Sequence, residues 1–125
     1  MKKIFIILGI LFCSASSVFA EDINVYYYWR NPRCVTCKKM ETYTSIAVQN
    51  LKDKTVHFYS LDMSKPENKN AIKKYGLYTK TVIISKTQNG KENWKNLTKI
   101  WDKVGNEKDF ENYITSEIKQ FKGGK

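Results

Sequence analysis

The chain is poor in the residues that build metal centres and disulfide frameworks: among its 125 residues there is one histidine and there are three cysteines. A strong zinc site takes three or four ligands, so His57 and a few thiols do not assure one. Acidic residues are also scarce, with 12 Asp and Glu against 22 Lys and Arg and a formal charge of +10. The lysines are spread over every segment and no nucleic-acid motif accompanies them. The excess therefore reads as a solvated basic surface able to steer acidic partners, and nucleic acid is not expected as a partner. No low-complexity tract, internal repeat or second-domain boundary is visible.

Long apolar runs are missing except at the start. Met1-Lys2-Lys3 precedes Ile4 to Phe12, and a small and polar stretch follows, ending Val18-Phe19-Ala20. A basic start, a short apolar core and small residues at minus three and minus one describe a secretory signal over residues 1–20, cut after Ala20. An uncleaved anchor is the alternative, although the core falls short of the roughly 20 residues that span a bilayer. Cys13 belongs to this signal, and the bulky Phe12 before it does not suit lipid attachment. The protein is thus expected to be exported, periplasmic or extracellular. One domain, 21–125, remains, with a balance of 20 basic to 12 acidic residues, or +8.

That domain keeps two cysteines, in Cys34-Val35-Thr36-Cys37. Export removes the cytosolic reducing pool, so the pair meets oxidants. As a staple it is poor, because the loop it closes is tiny and little entropy is removed from the unfolded chain. A disulfide here is better suited to being made and broken than to holding the fold.

The surrounding pattern alternates strand and helix. Ile23 to Trp29 is aromatic and β-branched with almost no charge, as in a central strand buried on both faces. Asn31-Pro32 breaks it. From Cys37, Met40, Thr44, Ala47, Val48 and Leu51 recur at helical spacing, predicting an amphipathic helix of about four turns with the cysteine pair on its first turn. Thr55 to Leu61 reads as a second strand, and Pro66 to Tyr75 as a helix stopped by Gly76. Thr81 to Ile84 is a third strand. Asn89-Gly90 signals a hairpin into a fourth near Glu92 to Lys95, which makes the sheet mixed. Leu97, Ile100, Trp101 and Val104 recur at helical spacing, and Phe110, Tyr113, Ile114, Ile118 and Phe121 form a closing helix. The expected class is α/β: a central mixed four-stranded sheet flanked by helices.

A dithiol at a strand-to-helix junction is suited to thiol-disulfide exchange, because the helix N-terminus stabilises one sulfur as thiolate. Cys34 is expected to be the exposed nucleophile and Cys37 the more buried resolving thiol, with Arg33, Lys38 and Lys39 adding positive charge. Trp29 and Pro32 before the pair, and Tyr78 and Thr79 before the third strand, would flank it. Trp29 and its neighbour Tyr28 read equally well as sheet core. Capture of a soft guest, Cu(I) or trivalent arsenic, by the same two thiolates is the alternative, with Met40 or Met63 as further donors. A hydrolytic pairing of Cys34 with His57 is disfavoured, since His57 falls within a neighbouring strand, away from the helix start. No cofactor is expected, and a monomer is.

C-x-x-C between this strand and this helix, Tyr28-Trp29 before it, Lys74-Tyr75-Gly76-Leu77 before the third strand, and the closing hairpin and helix resemble the thioredoxin-like superfamily over essentially the whole mature chain. More narrowly, Arg33-Cys34-Val35-Thr36-Cys37-Lys38-Lys39-Met40-Glu41, Leu77 to Val82 and Trp94 to Trp101 resemble the ArsF family of small exported thioredoxin-like proteins. That family is described as nitrophenyl-compound nitroreductase subunits and is associated with arsenical-resistance gene clusters encoding a membrane permease. The resemblance implies protein disulfide or dithiol partners, a membrane permease or electron-transfer protein among them; with a permease that passes electrons outward the domain would work as a reductant. No flavin-binding signature is visible in the chain.

The sequence departs from thioredoxins in two places. Thr81, after Lys80, stands where they carry a cis-proline facing the dithiol, and a cis bond to a non-proline residue costs about 2.5 to 4 kcal/mol, so a trans peptide is expected. Tyr26, Tyr27 and Tyr28 occupy the strand where they place a buried acid, which leaves proton handling to water or to Lys38 and Lys39.

Overall fold

The structure is a computed structural model and describes residues 22–123. The signal over 1–20, Cys13 within it, and the C-terminal Gly124 and Lys125 lie outside the described residues. Strand β1 (Ile23–Trp29) runs into helix α1 (Val35–Leu51), then β2 (Val56–Asp62). A 3-10 turn, Pro66–Asn68, leads into α2 (Lys69–Tyr75), followed by the hairpin β3 (Thr81–Gln88) and β4 (Lys91–Asn96). A short α3 (Ile100–Lys103) and a long α4 (Glu107–Gly123) close the chain.

The sheet order is β2-β1-β3-β4. β1 and β2 pair in parallel through the α1 crossover, whereas β3 is antiparallel to both of its neighbours, β1 and β4. A βαβ unit continued by a β-hairpin and a helix, in this strand order, is an α/β thioredoxin-like fold. The mixed sheet follows from the connections: a 17-residue helix is long enough for a parallel return, while two residues at Asn89-Gly90 allow only an antiparallel one. Both turn residues have positive φ, 55° at Asn89 and 77° at Gly90, the geometry of a two-residue hairpin that matches strand twist.

β1 is central because both of its faces are apolar. Ile23, Val25 and Tyr27 point to one side and pack with Met40, Ala47 and Val48 of α1 and Phe110, Ile114 and Ile118 of α4. Tyr28 points to the other and packs with Tyr75, Leu77, Met63 and Ile83, with Tyr26 at the edge of that cluster. α2 is held there by one carboxylate: Glu92 on β4 accepts from Lys74 at 2.8 Å, Tyr75 Oη at 2.6 Å and Ser85 Oγ at 2.5 Å. Gly76 then ends α2 at φ 64°, the left-handed cap that returns the chain toward β3.

Boundaries differ from the pattern-based expectation where local chemistry outweighs periodicity. α1 begins at Val35 instead of Cys37, because the Cys34 side chain itself accepts from the Cys37 backbone N–H and caps the helix. β3 extends to Gln88, since the hairpin carries pairing past the apolar run. The Leu97 to Val104 pattern yields only one helical turn; Leu97 and Ile100 are buried as expected, but Trp101 stands 41% exposed.

Candidate functional site: a dithiol at the start of α1

The C-terminal end of β1 places Trp29 at the rim of the sheet, and Asn31-Pro32 turns the chain through a cis peptide into α1. Cys34 is exposed at the N-cap; Cys37, one turn in, is 2% exposed. Their sulfurs lie 3.0 Å apart and are unbonded, so only small side-chain rotations separate this state from a bond of about 2.05 Å. The backbone N–H of Cys37 donates to the Cys34 sulfur at 3.3 Å. One sulfur is therefore open to a partner and the other is sealed directly beneath it.

The Cys34 thiol is held below its ordinary pKa range. The main cause is the hydrogen bond from the Cys37 side chain, followed by the Cys37 backbone N–H, with the charge of Lys80 and the Thr36 backbone adding. No acidic residue lies in the first turn of α1 to offset the positive end of the helix. The cation acting on Cys34 comes from the loop before β3, whereas the sequence pointed to Arg33, Lys38 and Lys39. Arg33 is otherwise engaged: it pairs with Glu41 and lies over the Trp29 ring, its guanidinium carbon 4.1 Å from the ring centre. Lys38 and Lys39 are exposed on α1, and the Lys38 backbone N–H donates to the Cys34 carbonyl at 3.1 Å.

Of the other flanking residues, Trp29 is half-buried and its indole N–H donates to Ser60 Oγ at 2.9 Å, so it is both sheet edge and site rim. Pro32 is exposed beside the pair. Thr81 is buried, paired with Tyr28 across β1 and β3, and its hydroxyl donates to Asn96 Oδ1. The one cis bond among the described residues is at Pro32, so Lys80-Thr81 is trans as expected. Beyond it, Tyr78 is 86% exposed, and Thr79, Thr81, Asn96, Thr98 and Trp101 border a cleft of about 90 Å³.

Tyr27 takes a role the sequence did not reveal. Fully buried beneath α1, it donates from Oη to the Cys37 carbonyl at 3.0 Å. Its phenol is pushed far above the usual range, first by burial, then by the neighbouring Cys37. It therefore stays neutral and acts as a clamp on the helix start, not as a base. Strict alternation along β1 was the available signal, since Tyr27 shares the α1 face with Ile23 and Val25. Tyr27→Phe is expected to lower the unfolding free energy by about 1 kcal/mol in a urea titration. A loss below about 0.3 kcal/mol would mean that the carbonyl does not need this second donor.

The remaining sulfur and imidazole groups stay apart from the dithiol's chemistry. Met40 is fully buried in the core, and the Met63 sulfur, also buried, sits 3.9 Å from the Arg30 guanidinium. His57 pairs with Asn24 near the opposite end of β1 and faces Asp22 at 3.7 Å, so it does not meet Cys34. Among the described residues, no group of three or more His, Cys, Asp or Glu is placed to hold a metal ion.

Fold and site together define a protein of thioredoxin-like fold with an accessible dithiol. No family model and no curated protein matches the chain. Solved structures similar to it include one described as a malarial protein, at 16% identity and TM-score 0.48, over 76% of this chain and 96% of that one; a thioredoxin from Thermus thermophilus, at 14% and 0.46, over 67% and 72%; and a reduced Schistosoma mansoni thioredoxin, at 18% and 0.45, over 69% and 79%. At such low identity the fold assignment rests on the strand order and connections given above.

Proposed function

We propose that this chain is an exported thiol-disulfide oxidoreductase whose working couple is Cys34/Cys37. The observation that carries the reading is the exposed, hydrogen-bonded Cys34 sulfur at a helix N-cap with the Cys37 sulfur 3.0 Å behind it. In the reducing direction, the Cys34 thiolate attacks one sulfur of a partner disulfide. That bond breaks, its electron pair leaves on the second partner sulfur, and a mixed disulfide forms. Cys37 then loses its proton to solvent and attacks Cys34, releasing the first partner sulfur as thiolate. The partner gains two electrons and the dithiol loses them.

Export is supported by the leader pattern over 1–20. A membrane permease or electron-transfer protein as redox partner is supported by the resemblance of Arg33 to Glu41, Leu77 to Val82 and Trp94 to Trp101 to the ArsF family. With such a partner delivering electrons outward, the domain works as a reductant. Capture of Cu(I) or trivalent arsenic is the second reading, favoured by the closeness of the two sulfurs.

Equilibration in glutathione buffers tests both readings. A reversible Cys34–Cys37 disulfide with a potential of about −270 mV fits a reductant, and one of about −120 mV an oxidant. No reversible couple would overturn the exchange reading, and stoichiometric retention of arsenite by the reduced protein would establish the second. Alkylation against pH should show Cys34 titrating below an ordinary thiol. Because folding depresses this pKa, the gain to the reduced form is full above the ordinary thiol range and is lost as pH falls through the lower folded value.

A further inference from the structure

Two cations flank the dithiol, each against an indole face. Arg33 lies over Trp29 but is neutralised by Glu41. Lys80 lies with Nζ 4.9 Å from the centre of the Trp101 ring, and among the described residues no carboxylate pairs with it. Its place in the chain brings it to the sulfurs: Lys80 directly precedes Thr81, which pairs with Tyr28, next to the strand end from which the Cys34 loop departs. Trp101 also borders the cleft with Tyr78, Thr79 and Thr81, and it is 41% exposed although it belongs to an otherwise apolar pattern. An indole left in solvent against a lysine ammonium restricts where that charge can go. Lys80 is therefore an unneutralised positive charge held at a defined edge of the site, distinguished from the exposed Lys38 and Lys39 of α1 by the indole that fixes it.

We infer that Cys34 exchanges preferentially with disulfides bearing a negative charge close to sulfur, that Lys80 is the residue reading that charge, and that Trp101 is the positioning residue holding Lys80 in place. The inference rests on the exchange reading above and names the substrate class for it. As the partner disulfide approaches, its carboxylate meets the Lys80 ammonium. The same charge then stabilises the departing thiolate as the bond to Cys34 forms, so attraction grows between encounter and transition state. A cationic disulfide meets repulsion at the same edge.

The test measures second-order rate constants of the fully reduced protein with dithiodiglycolate (anionic), bis(2-hydroxyethyl) disulfide (neutral) and cystamine (cationic). Each is divided by the rate of mercaptoethanol with the same disulfide, which removes intrinsic reactivity. At low salt the normalised rates should fall in that order over about a tenfold range, and the range should collapse in 1 M salt, where the screening length is about 3 Å. Lys80→Gln should remove most of the range and Lys80→Arg should keep it. Trp101→Leu should narrow it, with no further effect once Lys80→Gln is present. Lys91→Gln, at the far end of the hairpin, deletes the same charge and should leave the range intact. If Lys91→Gln and Lys80→Gln narrow it equally, the overall charge is responsible and the assignment to Lys80 is wrong. A charge order unmoved by either variant also overturns it, as does the lack of any order in the wild type. If all three disulfides react no faster than with mercaptoethanol, the exchange reading itself fails.

Discussion

Cys34→Ser should reduce the rate of disulfide reduction to that of buffer, while Cys37→Ser should react once and stop as a stable mixed disulfide with its partner. The asymmetry follows from burial: a partner sulfur reaches the exposed Cys34 but not Cys37, which lies sealed one turn into α1. Without Cys34, the remaining thiol has no access, so nothing compensates. Without Cys37, the attack on the partner proceeds but no second sulfur stands 3.0 Å away to resolve it. Intact mass after incubation with a disulfide substrate separates the outcomes, since the Cys37→Ser protein gains the mass of one partner thiol. Mixed disulfide accumulating on Cys37 in the Cys34→Ser protein would reverse the assigned roles.

Phe110→Ala should be the most damaging single core substitution outside the site, costing about 3 to 5 kcal/mol in unfolding free energy. Phe110 is fully buried where α4 meets the sheet, edge-on to Tyr43 of α1 at a ring separation of 5.5 Å. Truncation removes the ring from both helices at once, and neither can collapse into the gap without leaving β1. Thermal melting and denaturant titration measure the loss. A change under about 1 kcal/mol would mean that α1 and α4 repack freely, against the close packing expected of a protein core.

Much of this fold was legible because periodicity and turn chemistry agree along the chain. Ile23 to Trp29 carries apolar side chains on both faces, Gly76 and Asn89-Gly90 adopt the positive φ their turns demand, and Met40, Thr44, Ala47 and Val48 form one buried stripe. The position of the dithiol was legible for the same reason. Its supporting cast was not. Tyr27 reaches Cys37 across ten residues, and the charge of Lys80 acts on Cys34 only because β3 pairs with β1, a tertiary fact that no local pattern encodes. Arg33, adjacent in sequence, is drawn off by Glu41 and Trp29, so proximity along the chain misjudged which cation the thiol feels. Trp101 misled in the opposite way: helical spacing placed it in the core, but the single turn of α3 leaves it facing solvent.

The three-way anchorage at Glu92 ties the edge hairpin to the dithiol side of the molecule. One oxygen of that carboxylate receives α2 through Lys74, the other receives Tyr75 and Ser85, and the chain leaving α2 runs through residues 77–80 to Thr81, which pairs with Tyr28 near the strand end that leads to the dithiol. The turn at Asn89-Gly90 fixes the register that puts Glu92 opposite Thr87, beside this hub. A one-residue slip in this distant bend would swing the carboxylate to the wrong side of the strand and cut the tether at the root of the loop that bears Lys80. The geometry around the dithiol at one end of the sheet is thus set partly by a tight reversal at the other.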